Sequence, residues 1–389
     1  MAYIASIANR WYCALEGAYG ELAQVTAGNR IPAVTMTAQQ QRQKTQRKDK
    51  TGSRTYLGTP PGARLETSFS MTSYMRDWPN TTVLPSHGPL VQAAMGGPGA
   101  LWGGNTVAAG STASQIAFTS AHGLNPGQAI TCGGEIRFVA TVVNAQTVTL
   151  NAPFSAAPAS GAAIGQTATY SLATQLPSVS IYDYWDPSTA VQRAFAGAAV
   201  DRMSVQLNGD FHQFVFSGVA QDVLDSASFI PGQGGMALFP DEPALTGFTY
   251  SPIPGNLGQV WIGATPSQFL TVENASIQIQ NDLDTRSKEF GTSLPRAIVP
   301  GMRSVSVTLE LLGQDDAATT ALYQAARAQT PVGLMFQIGQ TAGQLVGIYL
   351  KSLVPAVPQF DDSDKRLQWK FTDTRAQGTA EDEMVVAFG

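Results

Sequence analysis

Apolar and polar side chains alternate along most of this chain, the period of two that places every second residue on one face of a β-strand. Before residue 80 the alternation runs through IPAVTMTA at 31–38 and RLETSFSMTSYM at 64–75. These two segments predict a hairpin with the stretch between them at its tip. The pattern returns after residue 171 in SVSIYDYW at 178–185, MSVQLNGDFHQFVFSG at 203–218, QVWIG at 259–263 and ENASIQIQN at 273–281. It continues through MRSVSVTLELL at 302–312, VGLMFQIG at 332–339, QLVGIYLKSLV at 344–354, RLQWKFTD at 366–373 and EMVVAFG at 383–389. Asn208 and Gly209 both accept positive φ, so strands 203–207 and 211–217 are expected to pair through a tight type I′ turn or a slightly longer bulged loop. Together these segments predict an antiparallel sheet system.

Two stretches follow a helical period instead. GPLVQAAMG at 88–96 sets Leu90, Val91, Ala94 and Met95 on one side and ends in the stop signals Gly96 and Gly97. Asp315 or Asp316 caps a second helix that ends before Pro331. Its Ala321, Leu322, Ala325 and Ala326 share a face that would cover one opening of the sheets. The expected fold is therefore all-β with one or two short helices.

Between 105 and 170 charge nearly disappears and Ala, Thr, Ser and Gly dominate. Inside this region, 136–143 and 147–150 read as strands around a turn at 144–146. The flanks GGNTVAAGSTAS and SAAPASGAAIG are the turn-forming or flexible kind expected where a module is spliced into a host domain. Residues 105–170 are thus expected to form an inserted small β-rich module, and residues 1–104 with 171–389 one discontinuous domain.

Composition sharpens this picture. The 389 residues are 43% apolar but only 13% charged, about half the charged share of an ordinary soluble domain. A surface so poor in charge suits a subunit that buries several faces against copies of itself. The net charge of −5 divides unevenly: residues 1–80 carry ten basic and five acidic side chains, the remainder thirteen and twenty-three. No domain is basic enough for tight nucleic-acid binding through many phosphate contacts. Cys13 and Cys132 lie far apart without metal spacing and are expected to be free thiols of a reducing compartment. The N-terminal segment lacks the pattern of a signal peptide, and no stretch reaches the roughly 20 apolar residues of a membrane span.

The candidates for catalysis or metal binding are weak. His87, His122 and His212 show no ligand spacing, and His212, beside Asp210, lacks a GxSxG nucleophile. NDLDTRSKE at 281–289 lacks the glycine of a calcium loop and contains Arg286 and Lys288. Asp361, Asp362 and Asp364 in FDDSDKR read as a polar turn more readily than as a cation clamp. PGQGG at 231–235 has no strand before it and no helix after it to make a phosphate cradle. Trp102, Trp185, Trp261 and Trp369 are scattered, as core anchors are, and form no platform for a sugar ring. No enzyme, cofactor or metal site is expected.

The order and wording of several segments resemble the tail tube proteins of long-tailed, siphophage-type bacteriophages and related phage-like particles. The residues that carry the resemblance are GPLVQAAMG at 88–96, VDRMSVQLNGDFHQFVFSGVAQD at 200–222 and ENASIQIQNDLDTRSKEFG at 273–291. PGMRSVSVTLELLGQDDAATTALYQAA at 300–326, VGLMFQIGQTAGQLVGIYL at 332–350 and RLQWKFTDTRAQGTAEDEMVVAFG at 366–389 continue it. The resemblance implies a tail-tube β-sandwich or barrel, six subunits to a ring, and rings stacked head to tail into a virion tail assembled in the host cytoplasm. It also implies tape measure, tail terminator and distal tail proteins as partners, and double-stranded DNA passing through the lumen without specific binding.

Residues 105–170 depart from the shortest members of that family. They are read either as an outward-facing decoration or as an elaborated loop packed between rings. A conduit for a polyanion should line its lumen with acids or neutral polar groups rather than Lys and Arg, and Glu273, Asp282, Asp284 and Glu310 are the acids expected near it. Arg42, Lys44, Arg47, Lys48, Lys50 and Arg54 form the one concentrated basic run. Its readings are contact with the acidic face of the next ring, contact with DNA, or a solvated loop. Another virion structural protein, such as a capsid decoration or tail terminator protein, and a β-rich carbohydrate-binding or adhesive protein are the alternatives.

Overall fold

The computed structural model describes residues 3–42, 50–56, 58, 64–207 and 209–389. In chain order, β1 (Asn9–Leu15) is followed by the hairpin strands β2 (Ala33–Arg42) and β3 (Leu65–Tyr74), helix α1 (Gly88–Met95) and β4 (Ala100–Trp102). The charge-poor region holds β5 (Gln115–Ala117), β6 (Ala129–Cys132), β7 (Glu135–Asn144) and β8 (Thr147–Leu150). Then come β9 (Thr167–Ser171), β10 (Val179–Trp185), the long β11 (Arg193–Leu207), β12 (Gln213–Ala220), β13 (Gly258–Gly263), β14 (Val272–Gln280) and β15 (Ser304–Leu312). Helix α2 (Ala317–Ala328), β16 (Val332–Ile338), β17 (Val346–Leu353), β18 (Gln368–Arg375) and β19 (Val385–Phe388) complete the chain. The all-β expectation with two short helices is met, strand by strand, over both parts of the chain that alternate.

The strands form a sandwich. One sheet runs β2-β3-β12-β11-β14-β15-β18, with a short strand at Gln359–Asp361 beyond β18. The other runs β13-β16-β17-β19-β9-β4. Every second residue of the first sheet points into a shared core, including Phe214, Phe216, Ile277, Ile279, Val307 and Leu309. Phe336, Ile348, Leu350, Val386 and Phe388 of the second sheet meet them. β11 is long enough to serve two sheets: its first half pairs with β10 and its second half with β12 and β14. It turns at Gly197, whose φ of +62° and whose crowding by Gln221 and Tyr19 leave no place for a side chain.

β12 pairs with β11 as expected, but no tight turn closes them. The last pair is Gln206 with Gln213, and Asn208 lies outside the described residues. Residues 210–212 are drawn instead toward 253–255, His212 N donating to Ile253 O (3.0 Å) and Gly255 N to Asp210 O (3.1 Å). A longer loop results because these backbone groups bond to another segment of the chain rather than across the hairpin.

Asp316 caps α2 by accepting from Thr319 N at 2.6 Å, and the helix ends at Gln329 in the left-handed region. Its buried face is Thr319, Leu322 and Ala326, with Ala318 and Ala325 partly buried. Ala321, expected on that face, is exposed. The stripe is turned because Asp316 fixes the first helical residue at Ala317, which brings Ala318 and Thr319 to the core. Leu322 fills the end of the sandwich beside Ile262, Val307, Leu334 and Phe371. α1 inserts Leu90, Val91, Ala94 and Met95 into the same core.

The charge-poor region forms a third layer. Val107, Ile116, Phe118, Ile130, Val148 and Phe154 make a core of their own. On its other side, Ala129, Ile136, Phe138 and Ala152 pack on Trp261, Met335, Leu345 and Ala387, the face of the second sheet turned away from the sandwich core. Phe138 stacks on Tyr349 with ring centres 5.5 Å apart. A side chain at Gly347 would come within 3.0 Å of that ring.

Glu135 and Arg137, the only charged residues from 105 to 170, sit in this junction. Arg137 has no exposed side-chain surface and pairs with Glu135 at 2.9 Å. It donates to Gln337 Oε1 (2.8 Å), Gln259 Oε1 (2.9 Å) and Pro153 O (2.8 Å), and lies over the Trp261 ring. Burial lowers its pKa to about 10, so it stays charged at neutral pH. Every donor that burial strips of water thus regains a partner.

Arg137→Met takes one donor from each of Glu135, Gln337 and Gln259, leaving the half-buried Glu135 charge without its ion-pair partner, and should cost about 3 kcal/mol in urea unfolding followed by tryptophan fluorescence. Limited proteolysis should then cleave first within 155–162. His87, at the start of α1, is fully enclosed and shares a 2.9 Å hydrogen bond with Ser73 Oγ. Burial lowers its pKa to about 3, with Arg76 adding to the shift. Because the folded value lies below the unfolded one, stability is full above about pH 6.5 and falls as the pH drops from there toward 3. NMR of ring-labelled histidine should show His87 still neutral at pH 4.5, with a lower denaturant midpoint than at pH 7.

Candidate functional site

The first sheet has a second face, turned away from the core, and its composition sets it apart. Because the strands are in register, the polar positions form rows running across them. Thr35, Thr72, Val215, Ser204, Gln278, Ser306 and Arg375 make one row. Thr37, Ser70, Ser217, Arg202, Gln280 and Ser304 make the next. On the other side lies Tyr74, Gln213, Gln206, Ser276 and Thr308. These residues are half-buried or exposed, and nearly all are neutral hydroxyls and amides. Fixed charge is sparse: Arg202 stands on the central β11, Glu66 on β3, and Glu273, Glu310, Lys370 and Arg375 toward the β18 edge.

Glu310 stands opposite Asn274 on one side and Lys370 on the other. Glu273 occupies a bulge in β14 and accepts from Gln368 Nε2 at 2.6 Å. Lys370 donates to Asp361 Oδ2 at 2.6 Å, which holds that carboxyl well below the usual range. Asp282 and Asp284 do not join the two glutamates. β14 ends at Gln280, and Asn281 is buried with its amide donating to Ala94 O (2.9 Å) and Val200 O (3.0 Å). That anchor turns the chain out of the sheet, so Asp282 and Asp284 stand at the opposite end in an arm spanning 282–303. The alternation that identified the strand gave no sign that Asn281 would act as an anchor.

Arg42 is the last residue of β2, exposed and opposite Leu65. Lys50 and Arg54 are exposed, while Lys44, Arg47 and Lys48 lie outside the described residues. Arg64, not singled out from the sequence, donates to Lys288 O in the arm at 2.9 Å. The neutral rows were also missed, although the signal was in plain view: the polar positions of SFSMTSY, MSVQL, ENASIQIQ and SVSVTLELL are almost all Ser, Thr, Gln or Asn.

The remaining histidines serve local structure. His122 accepts from Leu124 N at 2.8 Å and bonds Asn144 O at 3.0 Å, clamping a loop. His212 bonds Leu257 O at 3.2 Å, and burial lowers its pKa. Cys13 and Cys132 are free thiols. Among the described residues no group of three or more His, Cys, Asp or Glu is placed to hold a metal ion, and no helix is long and apolar enough to cross a membrane.

A family model described as phage tail tube protein matches residues 129–388. No curated protein matches the chain. The matched span takes in the second half of the docked third layer, both sheets from β9 onward, the neutral rows on β11, β12, β14 and β15, and the arm. It opens at residue 129, where β6 begins to share a core with the second sheet. The chain belongs to the phage tail tube protein family and is a structural protein of the virion tail.

Proposed function

We propose that six copies of this chain close into a ring with the neutral Ser/Thr/Gln rows toward a central channel, that rings stack into a tube, and that phage DNA passes through it. The observation that carries this reading is the scarcity of fixed charge over the broad face of the first sheet. DNA presents one negative charge per about 1.7 Å of its axis, and every Lys or Arg that meets a phosphate adds affinity through counterion release. Dense carboxylates would repel the polymer instead. Hydroxyls and amides keep the wall hydrated while forming neither strong attraction nor a barrier, so a polyanion slides past. Glu273 and Glu310 are balanced at one edge by Lys370 and Arg375, so that edge carries no net charge.

The edges of the same sheet support ring closure. β2 has no strand on its outer side over Ala33–Arg42 among the described residues. At the other side, among the described residues, only Gln359–Asp361 extends beyond β18. Open edges on opposite sides of one sheet allow neighbours to pair around a circle, with buried apolar area rather than ion pairs supplying cohesion. Layer order supports the placement of residues 105–170. Residues 107–154 cover the sheet face farthest from the neutral rows, while 167–170 belong to β9 of the second sheet, so a lumen at those rows leaves the covering layer outside as a decoration. The tape measure protein would occupy the channel, and terminator and distal tail proteins the ends. The basic run around Arg42, Lys50 and Arg54 would meet the acidic remainder of the next ring.

Purified protein should form hollow tubes with a regular ring repeat by negative-stain microscopy. A polypeptide that stays monomeric at every concentration would overturn the proposal. Ser204→Lys, Ser276→Lys and Gln278→Lys together should leave tubes intact but make them retain DNA at low salt, with retention lost as salt rises.

A further inference from the structure

The two ends of the first sheet are unlike, and the difference has the form of a knob and a hole. At the end where Arg202 pairs with Gln280, the arm 282–303 projects with Phe290 fully exposed and Met302 87% exposed. The arm is tied down. Asp284–Thr285 pairs with Ile298–Val299, Ser293 O accepts from Leu65 N at 2.9 Å, Lys288 O from Arg64 at 2.9 Å and Pro295 O from Gln221 at 3.0 Å. An ordered support that holds a phenyl ring in water forgoes burial the chain had means to provide, which marks an anchor for something outside the subunit.

At the other end, where Leu207 pairs with Ala275, a cleft of about 210 Å³ opens, its apolar wall made by Leu207, Leu257, Val260, Phe269, Leu270 and Val272 and its polar side by amides such as Gln259 and Asn274. Leu270 stands at its rim, 84% exposed. The paired strands separate knob from hole by about 20 Å. Charge differs in the same sense. Arg42, Arg64, Arg286, Lys288, Arg296 and Arg303 stand at the arm end against Glu66, Asp282, Asp284 and Glu289, a basic excess. Asp210, Asp315, Asp316, Asp362 and Asp364 are exposed near the cleft end, against Lys365 and Arg366.

We infer that the arm of one copy docks into the cleft of a second copy in the next ring, with Phe290 as its apolar anchor. The inference rests on the tube reading above and names its stacking contact. A protrusion at one end of a subunit that fits a recess at the other makes a heterologous contact, which repeats without closing and so propagates along an axis. The basic arm end and acidic cleft end face each other in that arrangement and oppose each other in the reverse one, so charge fixes the polarity of the stack.

The test uses the full chain with Phe290→Ser and, separately, Leu270→Arg. Both residues are exposed in the subunit, so circular dichroism and the melting temperature should match wild type. Native mass spectrometry should still show single rings. Each variant should raise the critical concentration for tube growth by at least about tenfold. Mixing preformed rings of the two should give ring pairs and nothing longer, since only one intact arm–cleft junction can form. Growth of both variants at the wild-type critical concentration, while wild type forms tubes, would overturn this contact and leave the tube reading standing. Failure of wild type to form tubes would overturn both.

Discussion

The fold depends on one shared apolar layer, in which Phe214, Phe216, Ile277 and Leu309 of the first sheet meet Phe336, Ile348, Val386 and Phe388 of the second. Alternation assigns one side of each strand to that layer, so each sheet keeps a second side whose chemistry is free to differ. The first sheet gives its free side to neutral hydroxyls and amides. The second gives its free side to Trp261, Met335 and Tyr349, which the charge-poor layer covers through Phe138 and the enclosed Arg137. A neutral face and a covered face thus arise from two outer faces of the same sandwich.

A second constraint acts along the strands. β11, β14 and β15 share one axis, and what emerges from their two ends is set by local features: Asn281 turns the arm out at one end, while the loop drawn toward 253–255 leaves a cleft at the other. In the proposed tube, rings with different ends would give the stack a direction, which one-way passage of DNA needs. The low overall charge fits this division of labour. In that proposed tube, cohesion would come from sheet edges and apolar contacts.

Most of the sheet system was legible in the sequence because half-buried antiparallel strands state their own period. IQIQ and VSVTLELL admit few other readings. The caps at Asp316 and Gly96 were legible for the same reason, as local signals with local causes. What escaped depended on distant partners. Ala321 was placed on the buried stripe of α2, but the exact start of the helix decides the stripe. The path of 210–212 follows its bonds to 253–255, which no nearby residue announces. Asp282 and Asp284 looked continuous with Glu273 along the chain, yet Asn281 sends them to the other end of the sheet. The neutral rows were visible as composition and became a surface only once the register of six strands was known.

The central claim is that the Ser/Thr/Gln face lines the channel and the charge-poor layer lies outside it. An electron cryomicroscopy reconstruction of assembled tubes at side-chain resolution tests this most directly. The account predicts Ser204, Gln278 and Ser306 on the inner wall and the hairpin of Val142 and Val143 on the outer one. Finding that hairpin in the lumen, or the neutral rows buried between rings, would contradict it.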